Sequence, residues 1–320
     1  MTSIAEKTAP AHRPRDENIA FIIMAAVLAI VPFTGIYPYF VMQALCFALF
    51  ACAFNLLIGY GGLLSFGHAM FLGTAGYVTA HALKVWGFDP LAGIVLGVLA
   101  SGALAVLTGL VAIRRQGIYF AMITLALSQL LYFIYIQTPF THGEDGIQGI
   151  PQGKLLGFID LSQSLTLYYF VLIVFLLAFL LIFRIINSPF GEVLKSIREN
   201  EQRAISLGYR AEQYKLMAYI LSGALSGLAG GLKVLVAQTA SLTDVHWSMS
   251  GEVVLMTLLG GLGTVFGPVV GAFIIITMQQ YLAQFGQWVV VIQGVIFVIC
   301  VLTFRRGIVG EIANYFKRSL

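Results

Sequence analysis

Charge is the commodity this 320-residue chain has least of: Asp, Glu, Lys and Arg make up 10% of it, where soluble domains carry ~25%. Apolar residues make up 59%, against a usual ~45–50%. A soluble globule has no interior large enough for that surplus, and disorder requires the opposite balance, so the chain reads as an integral membrane protein. Cysteines number three, Cys46, Cys52 and Cys300, all inside apolar runs and without a CxxC pair. That excludes a disulfide framework or a zinc site and leaves small buried hydrophobes; no metal site is expected. The net charge of +4 has no basic cluster on a solvated face behind it, which argues against nucleic acid as a partner. The only Gly-Lys pair, Gly153-Lys154, is followed by Leu155, so the chain has no phosphate-binding loop of its own, and HExxH and GxSxG are missing too. No series of intramembrane carboxylates outlines a proton or sodium relay.

What is present is a succession of apolar segments, at roughly 19–33, 39–60, 62–83, 91–113, 117–138, 165–187, 214–237, 252–283 and 286–304. Most have the ~20 residues needed to cross ~30 Å of hydrocarbon. The fold class expected is all-α, a multi-spanning membrane helix bundle of about eight to ten segments. No small-residue cleavage site follows the first apolar run, so it reads as an uncleaved span. Fifteen of the 18 basic residues fall into four groups. Lys7, Arg13 and Arg15 open the chain; Arg114 and Arg115 follow; Arg184, Lys195, Arg198, Arg203, Arg210 and Lys215 form the third; Arg305, Arg306, Lys317 and Arg318 close it. Positive charge marks the cytoplasmic side, which places both termini there and makes 1–17 and 305–320 cytoplasmic tails around a membrane domain at 18–304. The loop 139–164 then faces the periplasm, and Trp86, Trp247 and Trp288 all lie at the outer interface.

Groups on one side of a membrane are joined by an even number of crossings, yet only three segments separate Lys215 from Arg305. Segment 252–283 resolves the parity, because it contains Gly260-Gly261-Leu262-Gly263-Thr264-Val265-Phe266-Gly267-Pro268. The spacing predicts an inward half-helix over about 252–261, ~15 Å long, a turn, and an outward helix over about 268–283. Broken helices at that depth survive only inside protein or beside a cavity. Gly61-Gly62-Leu63-Leu64-Ser65-Phe66-Gly67-His68 repeats the opening GGL and the later FG. Paired glycine breaks of this kind point to a transport pathway, although glycine-rich segments also resemble one another by chance. The break glycines are therefore Gly61, Gly62, Gly67, Gly260, Gly261, Gly263 and Gly267.

Other glycines recur every fourth residue: Gly93, Gly97 and Gly109 in line with Ser101 and Ala105, and Gly223, Gly227 and Gly231. Such stripes let helices cross closely, here within one bundle. Of the few charges inside apolar segments, Lys233 is expected to snorkel from its span's outer end, and Glu252 to sit at the positive end of the half-helix. His68 is read as a neutral, hydrogen-bonded side chain.

Stretch 184–215 differs from the rest, carrying ten of the chain's 32 charged residues. Ser188-Pro189 supplies a helix start; Phe190, Val193, Leu194 and Ile197 form an apolar stripe; Gly208 offers a stop. An amphipathic helix of this kind lies on a membrane surface or enters a partner's groove, and its mixed charge favours the partner.

The chain resembles the permease subunits of ABC importers for branched-chain amino acids, of the LivM type. The similar stretches are NLLIGYGGLLSFGHAMFLGTAGY (Asn55–Tyr77), QGIYFAMITLAL (Gln116–Leu127), GEDGIQGIP (Gly143–Pro151), Ser188–Ser226 and GGLGTVFGPVVGA (Gly260–Ala272), in the family's order. The resemblance implies a subunit of the bacterial inner (plasma) membrane that works with a homologous second permease and two cytoplasmic ATPases. A periplasmic or lipid-anchored binding protein would deliver the substrate. ATP and Mg would belong to the ATPases, with no cofactor bound by this chain and no enzymatic activity of its own.

By the same resemblance, 188–213 is the coupling loop, with Phe190, Val193, Leu194, Ile197, Glu201, Ala204 and Gly208 as its contacts. The Glu201-Gln202-Arg203-Ala204 run only approximates the family's EAA wording. Polar residues near the breaks and on 117–138, namely Asn55, Ser65, His68, Thr124, Ser128, Gln129 and Thr264, are candidates for the translocation pathway; interhelical hydrogen bonding is their other reading. Branched-chain or other amino acids are the leading substrates, with urea, amides or aromatic acids as alternatives in the same family. A stand-alone secondary transporter is the alternative from another class. The sidedness is directly testable: a cysteine replacing Ser196 is predicted to be labelled only from the cytoplasm and one replacing Asp145 only from outside. Reversed labelling refutes the orientation.

Overall fold

The computed structural model describes residues 14–35, 37–155, 157–286, 288–303 and 307–315. Lys7, Arg13, Arg305, Arg306, Lys317 and Arg318, with most of both tails assigned above, lie outside the described residues. The fold is an all-α membrane bundle. Its helices are α1 (Pro14–Ile30), α2 (Pro38–Asn55), α3 (His68–Lys84), α4 (Pro90–Ala112), α5 (Ile118–Gln137) and α6 (Ser164–Ile186). They continue with α7 (Pro189–Glu199), α8 (Glu201–Ser206), α9 (Ala211–Ala237), α10 (Trp247–Gly260), α11 (Gly267–Leu282), α12 (Trp288–Thr303) and α13 (Gly307–Tyr315). Among the described residues, five helices are long and apolar enough to cross a membrane: α2 with its extension to Tyr60, α4, α5, α6 and α9. Shorter apolar helices cover Ile19–Phe33, Gly267–Leu282 and Val291–Cys300.

Contacts at both ends fix the directions. Tyr168 donates to the Leu28 carbonyl at 2.6 Å while Phe21 stacks on Phe179, so α1 and α6 run antiparallel. Helix α9, with 27 residues, carries the chain ~40 Å from the end where α7 and α8 lie to the end where the loop 139–164 lies. At that loop end, the two-residue strands β1 (Ile147–Gln148) and β4 (Thr239–Ala240) pair antiparallel, with Ile147 opposite Ala240. Strands β2 (Lys154–Leu155) and β3 (Ile159–Asp160) form a small hairpin beside them. Its Asp160 carboxylate accepts the Ser162 N–H, which holds its pKa below the usual value. Trp86, Trp247 and Trp288 sit at this same end, each about half exposed or more.

The core forms around α2, which is buried from Val41 to Asn55 apart from a single half-buried residue, Gln43. Helices α3, α4 and α9 pack on one another beside it, and the small-residue stripes are what let them. Ser101 donates to the Gly223 carbonyl at 2.7 Å across the α4–α9 crossing. A methyl on Gly227 would lie 2.5 Å from the Ser101 Cβ, and one on Gly223 would lie 2.6 Å from the Ala105 Cβ. A methyl on Gly230 would overlap the Leu72 carbonyl oxygen of α3. The stripes are therefore spent on packing inside this chain.

Four expectations require correction. The half-helix begins at Trp247, not near 252, and its 14 residues span ~21 Å. The His246 ring accepts the Ser248 N–H and caps the helix there, so the polar residues Ser248, Ser250 and Glu252, which masked its start in the sequence, lie inside it. Glu252 is thus in the second turn, where it accepts a hydrogen bond from Gln279 at 3.1 Å. Lys233 does not snorkel; it forms a buried ion pair with Asp244 and lies 5.6 Å from the centre of the Phe47 ring. Pairing is the cheaper arrangement, because either partner alone would remain as an uncompensated buried charge. Lastly, the amphipathic helix that starts at Ser188-Pro189 stops before Gly208: Asn200 ends α7 and caps α8 by accepting the Arg203 N–H at 3.0 Å.

Two glycines predict opposite results for one substitution. Gly230→Ala forces backbone apart and is expected to cost ~1–3 kcal/mol. Gly251→Ala, inside α10 with nothing within 4 Å of the added methyl, is expected to gain up to ~1 kcal/mol from helix propensity. Thermal unfolding in detergent reads both, and equal shifts would contradict the packing account.

Candidate functional site

Both glycine breaks exist, and the fold brings them to one place. The first begins where α2 widens into a π-helical turn over Leu56–Tyr60 and then runs as irregular backbone through 61–67 to α3. Such wider turns leave a backbone carbonyl without its usual partner. The second is the six-residue stretch 261–266 between α10 and α11. Gly62, Gly261 and Gly263 have φ of 68°, 128° and 74°, conformations that side chains with a Cβ resist. The turn is so tight that a methyl on Gly260 would overlap the Gly267 carbonyl and one on Gly271 the Met256 carbonyl.

Asn55 joins the two breaks. It is 2% exposed; its Nδ2 donates to the Thr264 carbonyl at 2.9 Å, and its Oδ1 accepts the Gly263 N–H at 3.1 Å. Thr264 in turn donates to the Gly261 carbonyl at 2.8 Å and accepts the Gly267 N–H at 3.1 Å, which caps α11. The first break is braced in the same manner. Thr124 of α5 accepts the Phe66 N–H at 3.2 Å, Ser65 accepts the Gly67 N–H at 3.3 Å, and Ser250 of α10 accepts the Ala69 N–H at 2.9 Å. These bonds satisfy backbone groups that the interruptions leave without helical partners.

His68 lies deeper and is fully buried. The Ser222 hydroxyl gives its single proton to the Ala53 carbonyl at 2.5 Å, so the 2.8 Å contact between His68 Nε2 and Ser222 has the histidine as donor. Its Nδ1 then carries no proton and has no partner, and the rings of Phe54 and Phe71 enclose it edge-on. This is a neutral structural histidine, held between α2, α3 and α9. Ser128 approaches the Val245 carbonyl at 3.5 Å. Gln129, half-buried on α5, keeps a buried Nε2 with no partner. Of the seven polar candidates, six make bonds within the chain, while Gln129, and His68 through its Nδ1, retain unused capacity. Neither of the two grooves that follow is lined by any of the seven. The groove beside the first break, about 470 Å³, is apolar and runs from Gly62 and Phe66 to Ile118, Ala121 and Leu125. A second groove of about 520 Å³ lies between Met24 and Leu28 of α1 and Phe273 and Thr277 of α11.

Helix α7 is seated directly on the breaks. Ser188 caps it by accepting the Gly191 N–H at 3.4 Å. A methyl on Gly191 would overlap the Ile186 carbonyl, so α7 abuts the end of α6. Leu194 is buried in the main core, and Ile197 with Ala204 is buried in a small cluster that includes Ala211, Val193 and Tyr214. Phe190 stacks on Tyr214 at 5.6 Å, and Glu201 pairs with Lys215 of α9 at 2.6 Å. The apolar stripe of α7 therefore seats the helix on its own chain. Gly208, with φ of 92°, is exposed in the turn after α8. Sequence reasoning passed over Arg198, which donates to the Gly59 carbonyl. It also passed over Ile205, Leu207 and Tyr209, which are exposed at 49%, 70% and 41%. Apolar side chains breaking the polar run were the available signal for those three.

Residues 36–301 match the family described as branched-chain amino acid transport system / permease component. The chain belongs to this permease family. It is 26% identical over 283 residues to the high-affinity branched-chain amino acid transport system permease protein LivM of Salmonella typhimurium, covering 79% of this chain and 65% of that protein. To the LivM protein of Escherichia coli (strain K12) it is 23% identical over 325 residues, covering 90% and 74%. To the ribose import permease protein RbsC of Bacillus subtilis it is 26% identical over 308 residues, covering 86% and 92%. The chain thus spans just under two thirds of the Salmonella relative's length. No solved structure is a significant match to this chain. A family permease with five long apolar helices is a multi-pass membrane protein.

The joint between the breaks has a measurable stability. Asn55→Ala strands the Gly263 N–H and the Thr264 carbonyl, each worth ~1–3 kcal/mol when buried unpaired. Thermal unfolding in detergent is expected to fall accordingly. Ser226→Ala, which removes a buried hydroxyl with no partner, is expected to leave it unchanged. Equal effects of the two would show that Asn55 is not the joint.

Proposed function

We propose that this chain is one permease subunit of an ATP-driven importer in a bacterial inner membrane, forming half of a pathway for branched-chain or other apolar amino acids. The carrying observation is the α7–α8 segment, a polar, charge-rich pair of helices anchored on the two glycine breaks and bearing three exposed apolar side chains. Ile205 and Leu207 project from the segment, Tyr209 is exposed beyond its edge-on contact with Tyr214, and exposed apolar groups on a polar segment mark a docking face. In this reading they meet a cytoplasmic ATPase that supplies ATP and Mg, while Leu194, Ile197 and Ala204 keep the segment rigid. Two such ATPases, a homologous second permease and a binding protein that delivers substrate complete the assembly. The outer face of α5, exposed from Ile118 to Ile134, and the apolar groove beside it face the second permease. Gln129 is the side chain on that helix with hydrogen-bonding capacity left for a passing solute.

Similarity to two LivM proteins supports amino acids as the substrate class. Similarity to a ribose import permease supports a sugar as the second reading, since that relative is covered almost throughout. The external binding protein would make the choice between them.

The docking face predicts that Leu207→Asp, exposed and outside the core, abolishes co-purification of the ATPases while the chain stays folded. ATP-driven uptake in liposomes is expected to fall to background with it. Undiminished ATPase binding would reject the face, and uptake by this chain alone under an ion gradient would reject the ATP-driven reading.

A further inference from the structure

We propose that Arg198 is the positioning residue through which α7 holds and moves both glycine breaks as one body. This deepens the coupling role given above to α7 and rests on that reading. Arg198 is the last-turn arginine of α7, 139 residues from Gly59 in sequence, and its Nη1 donates to the Gly59 carbonyl. That carbonyl belongs to the π-helical turn ending α2, where freed carbonyls carry partial negative charge and attract a cation. The stem of the arginine lies across the first break, such that a methyl on Gly62 would be 3.0 Å from its Cγ. The same guanidinium borders the second break: a methyl on Gly263 would be 3.4 Å from Nη1.

The two breaks themselves are in backbone contact. A methyl on Gly59 would lie 2.8 Å from the Gly263 nitrogen and would overlap the Asn55 Oδ1 that accepts that N–H. A push on α7 therefore reaches Gly59 through Arg198, then Gly263 and Thr264 through Asn55. From there it reaches the end of α10 and the capped start of α11. The helix delivering the push is held by Gly191 against α6, and α8, which follows it, is held by Glu201 on Lys215 of α9. Arginine suits the position because its charge is permanent and its planar fork presents several donors on one rigid group. Lys195, one turn earlier, is engaged elsewhere, with Glu192 at 2.8 Å and over the Tyr60 ring at 5.8 Å.

The test uses the complete transporter in liposomes, comparing Arg198→Ala and Arg198→Lys with the unaltered chain. With Arg198→Ala, ATPase subunits are expected to bind at unchanged stoichiometry and hydrolyse ATP within about twofold of normal, while uptake per ATP falls about tenfold, the scale of one charge-assisted hydrogen bond. Arg198→Lys, which keeps the charge and one donor, is expected to recover part of the loss. Unchanged uptake per ATP overturns the proposal, as does a parallel loss of ATPase binding and uptake, which would make Arg198 a docking residue. A second measurement requires no ATPase. In detergent, Arg198→Ala is expected to speed amide exchange about tenfold in both 59–63 and 261–267, with 147–160 unaffected. Acceleration confined to 59–63, or none, overturns the pin. If the unaltered chain binds no ATPase, the transport reading fails and amide exchange still decides the pin.

Discussion

Interrupting two helices frees backbone N–H and carbonyl groups, and inside a bilayer protein alone is available to satisfy them. The Asn55 amide answers that constraint, donating to Thr264 and accepting from Gly263. Most of the surrounding architecture follows from making room for it. Gly59 has no side chain because Asn55 and Gly263 occupy the space. Gly260, Gly267 and Gly271 are bare because α10 and α11 must turn tightly enough to present Gly263 and Thr264 to Asn55. Thr124, Ser65 and Ser250 accept three more of the N–H groups around the first break.

Once satisfied in this way, the breaks are joints and not defects. A continuous helix transmits force along its axis, whereas two interrupted helices bonded to each other link three neighbours, α2, α10 and α11, at one level. In the proposed reading, α7 on that level gives a partner ATPase a handle on both joints. The packing stripes serve the complementary purpose, letting α3, α4 and α9 pack closely against one another.

Membrane residence, the two breaks, the start of α7 at Ser188-Pro189 and the use of the glycine stripes were all legible in the sequence. Each is written in local composition or spacing. The errors arose where a side chain's partner, near or distant in the chain, left no trace in hydropathy or spacing. Lys233 is neutralised by Asp244, which hydropathy placed in a separate loop. The start of α10 was hidden because its first turns are polar and are capped by a histidine. Polar residues near the breaks were legible as important, but their partners, such as Ser222 for His68 and Val245 for Ser128, emerge only in three dimensions. Arg198 looked like one more positive-inside residue, because nothing local distinguishes an arginine bonded to Gly59 from one in water.

The central claim is that Asn55 and Arg198 act on one structural joint. A double-mutant cycle on unfolding free energy, with Asn55→Ala, Arg198→Ala and the pair, tests it most directly. The account predicts that the pair costs less than the sum of the single changes by ~0.5–3 kcal/mol, the range found for residues sharing one network. Strict additivity would mean that the two side chains stabilise separate parts of the molecule, and would contradict the joint.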